Sequence, residues 1–433
     1  MNTLLMIATR NLAQHKRRTM LLGSAVAMVT TLLVILLSLF SGMRTTMLRT
    51  ATTLMTGHVN VAGFYKITTG TAAPLVTKYQ GLTELVKKST PGLKAVVTRG
   101  RGWGKVVSES SSIQAALSGL NIDSEPLFRD VVEVSKGSLD GLRDPHTVLL
   151  FEQQAERLQV KVGDNVTLSS STFRGANNTV DLRVVAIAKD LGFMSGFNVY
   201  VHADSIRELY ELDPNTTGAI QVMIKDANEA ENVANTLRKA IEDAGYRMMD
   251  RVPQPFWRKF ESVRREDWTG QKIDITTWSD EMAFMRYTLD TVQVLTIVVV
   301  SVLVVIIIVG VMNTLWMAIR ERTKEIGTLR AIGMQRGYVL RMFVTEMAVL
   351  AFSSTAIGAL LAAALCWMVN AAHIVVPKAF QVFLMSQTLQ LAPDFGIAIR
   401  SLLTIAIVTT LGALFPAYRA TKLQPVTAMH AGN

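Results

Sequence analysis

Few residues of this sequence are grouped in a way that could do chemistry. Six histidines (His15, His58, His146, His202, His373 and His430) show neither an H-E-x-x-H pattern nor paired ligand spacing, so no metal site is expected. The single cysteine, Cys366, allows no intramolecular disulfide and no multi-cysteine metal site, and its apolar neighbours predict a packed thiol. Ser108, Ser110, Ser111 and Ser112 have no base nearby in sequence, and a polar loop or strand explains them better than a nucleophile. The stretch Arg99 to Lys105, RGRGWGK, invites a phosphate-loop reading. Such a loop needs Gly six residues before the Lys and Ser or Thr after it, and those positions hold Arg99 and Val106. A strand with glycines for tight turns is the expectation here. No other phosphate loop occurs in the sequence, and no catalytic residue is assigned.

The chemistry being sparse, the elements carry the argument. Hydrophobic residues make up 49% of the 433 positions, too apolar for an ordinary water-soluble chain of this size. The formal charge of +10 fits nucleic acid, an anionic membrane or an acidic partner, and the position of the charges decides among them. Residues 19–42 hold no charge between Thr19 and Ser41, a stretch long enough to cross a bilayer, and form span one. Arg10, Lys16, Arg17 and Arg18 precede it, as they would a cleaved signal peptide. The run exceeds a signal h-region and no A-x-A site follows, so a retained anchor is expected. A stalk and span two occupy 286–319, and the uncharged run from Thr291 to Ile319 is longer than one crossing requires. Span three is 339–372, with small residues at its centre for close helix packing, and span four is 397–418.

Basic residues cluster in the N-terminal segment 1–18, between spans two and three (Arg320, Arg322, Lys324, Arg330, Arg336, Arg341) and in the tail 419–433 (Arg419, Lys422). The positive-inside rule puts all three regions in the cytoplasm, the 43–285 segment outside, and 373–396 outside as a short loop. Orientation thus explains most of the charge, and nucleic acid is not an expected partner. Glu346, at the edge of span three about one turn after Arg341, is expected to reach water or a basic neighbour.

Residues 43–285 contain no long apolar run and read as a water-exposed domain. A strand at Gly57–Ala62, a helix at Leu82–Ser89 and a strand at Leu93–Arg99 match a second set at Ala219–Ile224, Ala227–Ala244 and Tyr246–Asp250. Two β-α-β halves separated in sequence predict a split ferredoxin-like layer. The segment of about 110–215 between them predicts an inserted lobe, with strands at Asn165–Ser170, Val180–Ala188 and Asn198–Val201 and helices at Glu152–Leu158 and Ala203–Tyr210. Residues 253–281 place Trp257, Trp268 and Trp278 among mixed charges, which suits either the membrane interface, cargo or partner contact, or a stalk packed on the domain.

Between spans two and three, Met312 to Met334 reads MNTLWMAIRERTKEIGTLRAIGM. Ile319, Ile326 and Leu329 share one helical face, and Glu321 with Lys324 and Arg322 with Glu325 are helical neighbours. Gly327 and Gly333 permit close approach and a helix stop. A helix of this kind, within 320–338, either docks into a groove on a partner or lies flat on the membrane.

This run resembles the signature of the FtsX/MacB/LolC-LolE superfamily of ABC transporter permeases. RNLAQHKRRT before span one, TGHVNV at the start of the outside domain and GALFPAYRATKLQPVTAM near the C-terminus agree with it. The resemblance implies an α-helical integral membrane protein with four transmembrane helices and a large α+β periplasmic domain, a split ferredoxin-like porter lobe plus an inserted β-rich lobe. It implies a type VII permease working by mechanotransmission in the bacterial inner membrane, both termini cytoplasmic. Its partners are then two copies of a cytoplasmic ABC ATPase subunit that bind the ATP and Mg, and a second permease copy or paralogue. The chain itself is not an enzyme in this reading. By motif match, coupling to the ATPase falls on Glu321, Arg322, Glu325, Ile326, Gly327, Arg330 and Gly333. TGHVNV and the domain length are most similar to the LolC/LolE branch, which extracts lipoproteins from the inner membrane, although the tryptophan-rich segment departs from that branch. The expected function is extraction of lipoprotein or lipidic cargo, with a periplasmic lipoprotein or carrier and membrane lipids as further partners. Efflux of peptide or drug-like cargo, and non-transporting regulation of an envelope enzyme, are the alternatives.

Overall fold

The computed structural model describes residues 2–377, 381 and 384–421. The tail 422–433, with Lys422, His430 and the end of the C-terminal motif, lies outside the described residues, as does part of the short loop 373–396. The chain divides into a helical unit, Met1–Thr45 with Leu289–Ile374 and Leu389–Asn433, and an α/β unit, Thr46–Thr288 with Val375–Thr388.

In chain order, α1 (Asn2–Gln14) and α2 (Lys16–Ala51) come first, and α2 ends in a π-helical turn, Thr52–Thr56. The first part of the α/β unit holds β1 (Val59–Lys66), β2 (Val76–Thr77), α3 (Tyr79–Ser89) and β3 (Leu93–Val107). Then come β4 (Ser112–Leu120), α4 (Pro126–Val131), β5 (Val134–Gly137), β6 (Thr147–Phe151), α5 (Glu152–Leu158), β7 (Asn165–Ser171), β8 (Asn177–Ala188), β9 (Asn198–His202) and α6 (Ala203–Tyr210). The unit closes with β10 (Thr216–Thr217), β11 (Ala219–Ile224), α7 (Ala230–Asp243), α8 (Phe256–Arg265), β12 (Gly270–Thr277) and α9 (Trp278–Glu281). Last are α10 (Ala283–Glu321), α11 (Thr323–Ala331), α12 (Arg336–Ala371) and α13 (Phe395–Thr421).

Among the described residues four helical segments are long and apolar enough to cross a membrane: Lys16–Thr56, Ala283–Glu321, Arg336–Ala371 and Phe395–Thr421. The 39 residues of α10 extend about 58 Å at 1.5 Å each, nearly twice the hydrocarbon thickness. Small residues let α2 and α12 approach backbone to backbone. A Cβ on Gly358 would stand 2.5 Å from the Ala27 carbonyl oxygen, and one on Gly23 would stand 3.1 Å from Ser354 Oγ. Thr31 Oγ1 closes the contact by donating to Gly358 O at 3.0 Å.

The α/β unit is built on one ten-stranded sheet, in the order β12-β1-β11-β3-β4-β9-β6-β8-β5, with β7 pairing to β3 and β8. Its first four strands are mutually antiparallel, and α3 and α7 bury Leu82, Val86, Val233, Leu237 and Ile241 against Val59, Val61, Ile220, Val222 and Ile275. This is the split ferredoxin-like layer. The closing strand differs from the expected one. Tyr246–Asp250 supplies only a bridge from Met248 to Ile273, and the tryptophan-rich segment provides the strand, β12, in full register with β1.

The inserted lobe begins inside β3 rather than after it, since Gly100 to Val107 pair with β4 and continue the same strand that pairs with β11. The glycines of RGRGWGK therefore serve clearance and not turns. A Cβ on Gly102 would come within 2.4 Å of the Tyr210 ring, and one on Gly100 within 3.0 Å of Ile206, both side chains of α6.

Candidate coupling site

The segment 321–333 folds as the end of α10, a break at Arg322, and α11. Ile319 and Ile326 are buried in the core of the helical unit, so the apolar face read from the sequence turns inward. Glu321, Lys324, Glu325, Thr328 and Gly333 are exposed, and so is Ile332, an apolar side chain 80% accessible at the end of α11. Gly333 takes φ +104°, the left-handed conformation that ends a helix, and its N–H donates to Arg330 O at 3.1 Å. Of the residues grouped by motif, Glu321, Glu325 and Gly333 lie outward. Arg322, Ile326 and Gly327 are buried. Arg330 Nη1 donates to Thr421 O at 3.0 Å, holding the last turn of α13.

Arg322 is turned inward by Glu346, which lies 3% exposed on α12. Arg322 Nη1 donates to Glu346 Oε2 at 3.1 Å, Arg18 Nη2 donates to Oε1 at 3.2 Å, and Asn11 Nδ2 reaches Oε2 at 3.5 Å. Arg18 also stands 3.7 Å from Glu321. Four elements, α1, α2, the α10 end and α12, thus meet at one carboxylate. An acid in so apolar a place requires such partners, because an unpaired buried charge costs several kcal/mol. The basic neighbours of Glu346 come from far along the chain, and Arg341, one turn before it, is exposed. The charge pairs read from local spacing, Glu321 with Lys324 and Arg322 with Glu325, give way to Glu321 with Arg18 and Arg322 with Glu346.

In the α/β unit a second buried cluster holds the end of α2. The final turn of a helix leaves carbonyls without helical partners, and here they accept from side chains. Arg99 Nη2 donates to Thr53 O at 2.7 Å, Arg99 Nη1 and Tyr200 Oη donate to Leu54 O, and Gln221 Nε2 donates to Met55 O. Glu125 meets Arg99 with both oxygens, each at 2.7 Å, and neither side chain is more than 3% exposed. The guanidinium also satisfies the negative end of the helix dipole. Burial pushes the Tyr200 hydroxyl well above its ordinary value, so it stays a donor. Gly57 follows at φ +66°, where a side chain would press on Val222 N.

Next to this clamp, Arg101 Nη2 donates to Asn60 Oδ1 at 2.7 Å, and Thr276 Oγ1 donates to Glu281 Oε1 at 2.7 Å. Burial pushes the Glu281 carboxyl up, with Arg101 pulling the other way, and burial pushes Arg101 down. His58 Nδ1 accepts from Ile224 N at 3.1 Å, and burial lowers its proton affinity. Gly57, His58 and Asn60 are the working residues of TGHVNV. Sequence reasoning missed Arg99, Arg101, Glu125 and Glu281; only buried-type spacing along β3 signals the arginines, since they alternate with glycine on one strand.

The three tryptophans are dispersed. Trp268, 9% exposed, has Lys66 Nζ 5.0 Å and Lys272 Nζ 4.8 Å from its ring centroid, and its Nε1 donates to Glu266 at 2.6 Å. Trp278 packs against the core of the ferredoxin-like lobe. Trp257, on α8, remains 46% exposed. No group of His, Cys, Asp and Glu able to hold a metal occurs among the described residues.

Two family models match the sequence: MacB-like periplasmic core domain over residues 19–240, and FtsX-like permease C-terminal over residues 297–425. The ABC transporter permease YtrF of Bacillus subtilis is 29% identical over 181 residues, 40% of this chain and 41% of that protein. The macrolide export ATP-binding/permease protein MacB of Nitrobacter winogradskyi is 31% identical over 124 residues, 29% of this chain and 17% of that protein. The chain thus spans less than half the length of both relatives. The crystal structure of the extracellular domain of the ABC-type transporter YknZ from Gram-positive bacteria aligns with 49% of this chain and 99% of that one, at 14% identity and a TM-score of 0.30.

Proposed function

The chain belongs to the MacB/FtsX type of ABC transporter permeases, and on that premise we propose that it couples ATP hydrolysis by a separate cytoplasmic ATPase to motion of its α/β unit, extracting lipoprotein or lipidic cargo from the inner membrane. In this reading the exposed side of 321–333 docks on the ATPase, two copies of which bind ATP and Mg. The loop segment and both termini face the cytoplasm because the basic residues gather there. The observation that carries the proposal is the contrast across α11. Its outer side is open and mixed in charge, while its inner side is locked through Arg322 and Glu346 to α1, α2 and α12. A push on the outer side is then delivered to the bundle as a whole rather than absorbed in a loop.

Helices α2 and α10 run from the helical unit into the α/β unit, and the Arg99 clamp keeps the end of α2 from turning freely there. A second permease copy or paralogue completes the assembly, with a lipoprotein or carrier and membrane lipids as further partners. Export of a drug-like cargo is the second reading, favoured by the name of the MacB relative. Affinity purification from detergent, with every protein band and bound acyl chain identified, tests the assignment. It predicts an ABC ATPase and acylated protein in the eluate; an envelope hydrolase with the ATPase and no acylated cargo would move it to the regulatory alternative.

A further inference from the structure

Within the helical unit, α2, α10 and α13 enclose a groove of about 440 Å³ that no step above uses. Leu33 and Leu37 of α2, Val300 and Val304 of α10 and Ile397 of α13 form its apolar walls. The groove lies at the end of the spans away from the coupling segment, since α2 leads to it from Arg18 and α13 leads from it toward Thr421, the residue that Arg330 holds. Counted from Leu33 to Arg44, 11 residues of α2 run along it, about 16 Å at 1.5 Å per residue. That is the depth of one leaflet in a bilayer whose hydrocarbon is about 30 Å thick. Apolar walls at this depth are covered by hydrocarbon, because water gains no hydrogen bonds from them.

The charged mouth of the groove selects what brings that hydrocarbon. Arg44 reaches it from α2 and Arg400 from α13, each at the edge of the uncharged run of its span. One arginine at a helix end is an ordinary interfacial anchor, but two from different helices on one groove form a joint site for an anion. Arg400 Nε donates to Gly396 O at 3.1 Å, and among the described residues its two terminal nitrogens have no acceptor. Asp394 is the third charge on the lining. It makes no ion pair with Arg400, and its carboxylate caps α13 instead, accepting from Gly396 N at 3.2 Å. Two cations and one acid leave an excess of one positive charge, which suits a monoanion, and the acid opposes a second negative charge.

We infer that the groove binds one membrane phospholipid, with an acyl chain along Leu33, Leu37, Val300 and Val304 and the phosphodiester at Arg44 and Arg400. A phosphodiester is a monoanion whose oxygens accept from both guanidiniums, and its esterified chains supply the apolar length that free phosphate lacks. Bound there, the lipid joins α2 to α13 at this end of the helical unit, as Glu346 joins α1, α2 and α12 at the other. It is a resident of the permease and not its extracted cargo, so the inference stands apart from the cargo reading.

The test uses the full chain in detergent, stripped of lipid and offered in turn dioleoylphosphatidylglycerol, dioleoylglycerol and inorganic phosphate, with bound species counted by native mass spectrometry. The phospholipid is expected to be retained. The diacylglycerol, which keeps the chains without the phosphate, and inorganic phosphate, which lacks the chains, are not. Arg400→Gln removes a charge at an exposed position and should weaken phospholipid binding at least about tenfold. Val304→Trp fills the groove and should do the same, while Arg49→Gln, on α2 but off the lining, should change nothing. Diacylglycerol held as tightly as phospholipid would show an apolar hollow only, and phosphate held without chains a plain anion site; either overturns the inference. So does phospholipid binding unchanged by Arg400→Gln. Because no ATPase, ATP or lipoprotein enters the experiment, its outcome is separate from that of the extraction reading.

Discussion

Arg322 and Glu346 meet 3.1 Å apart in the interior of the helical unit, joining the loop segment to a helix that starts 14 residues further on, at Arg336 counted from Arg322. Glu346→Ala would leave the buried Arg322 and the half-buried Arg18 without their shared carboxylate, and the expected loss is about 3–5 kcal/mol. Replacing Glu346, Arg322 and Arg18 together by Met should recover most of that stability. Thermal unfolding in nanodiscs checks both. If the triple variant also uncouples ATP turnover from cargo extraction, the cluster acts in transmission; if coupling returns with stability, it only holds the fold.

On the outer side of α11, Glu325→Lys and Ile332→Asp alter side chains that face solvent. Each should abolish co-purification of the ATPase while leaving expression and membrane insertion unchanged. The same assay on Arg322→Met should retain ATPase binding, because that side chain faces inward.

A pH dependence follows from Glu281. Burial raises its folded affinity for a proton, so its contribution to stability is fully present below the ordinary Glu range and is lost as pH rises through the folded value. Unfolding by urea, followed between about pH 5 and pH 8, should show Glu281→Gln gaining on the wild type as pH rises. A difference that stays flat across the range contradicts this.

Arg99→Met should free the Thr53 carbonyl, leave Leu54 O to Tyr200 alone and strand Glu125, all buried, at a cost of about 3 kcal/mol or more. Hydrogen exchange should quicken in residues 50–57 well before the ferredoxin-like lobe is affected.

The membrane helices were legible because a bilayer demands long uncharged runs, and the halves of the ferredoxin-like layer because each keeps its own β-α-β pattern. Strand β12 was not, since its segment is dominated by charged and aromatic residues whose burial depends on long-range partners: Asp274 is paired with Lys259, and Lys66 and Lys272 both stand over the Trp268 ring. The Glu346 cluster was half legible. An acid in an apolar helix announces a partner, but Arg18 and Arg322 lie 328 and 24 residues away in sequence, beyond any local rule. The strand through RGRGWGK was legible but the clamp was not, because glycines between arginines suggest tight turns, and their role in clearance appears only once α6 is packed over Gly102.

The act proposed for this permease is ATP-driven release of acylated protein. The permease complex with its co-purified ATPase, reconstituted in nanodiscs loaded with a lipoprotein, should move that lipoprotein to the soluble fraction on ATP addition, and the Ile332→Asp complex should not. Full ATP turnover with no release, together with turnover accelerated by a macrolide, would contradict it.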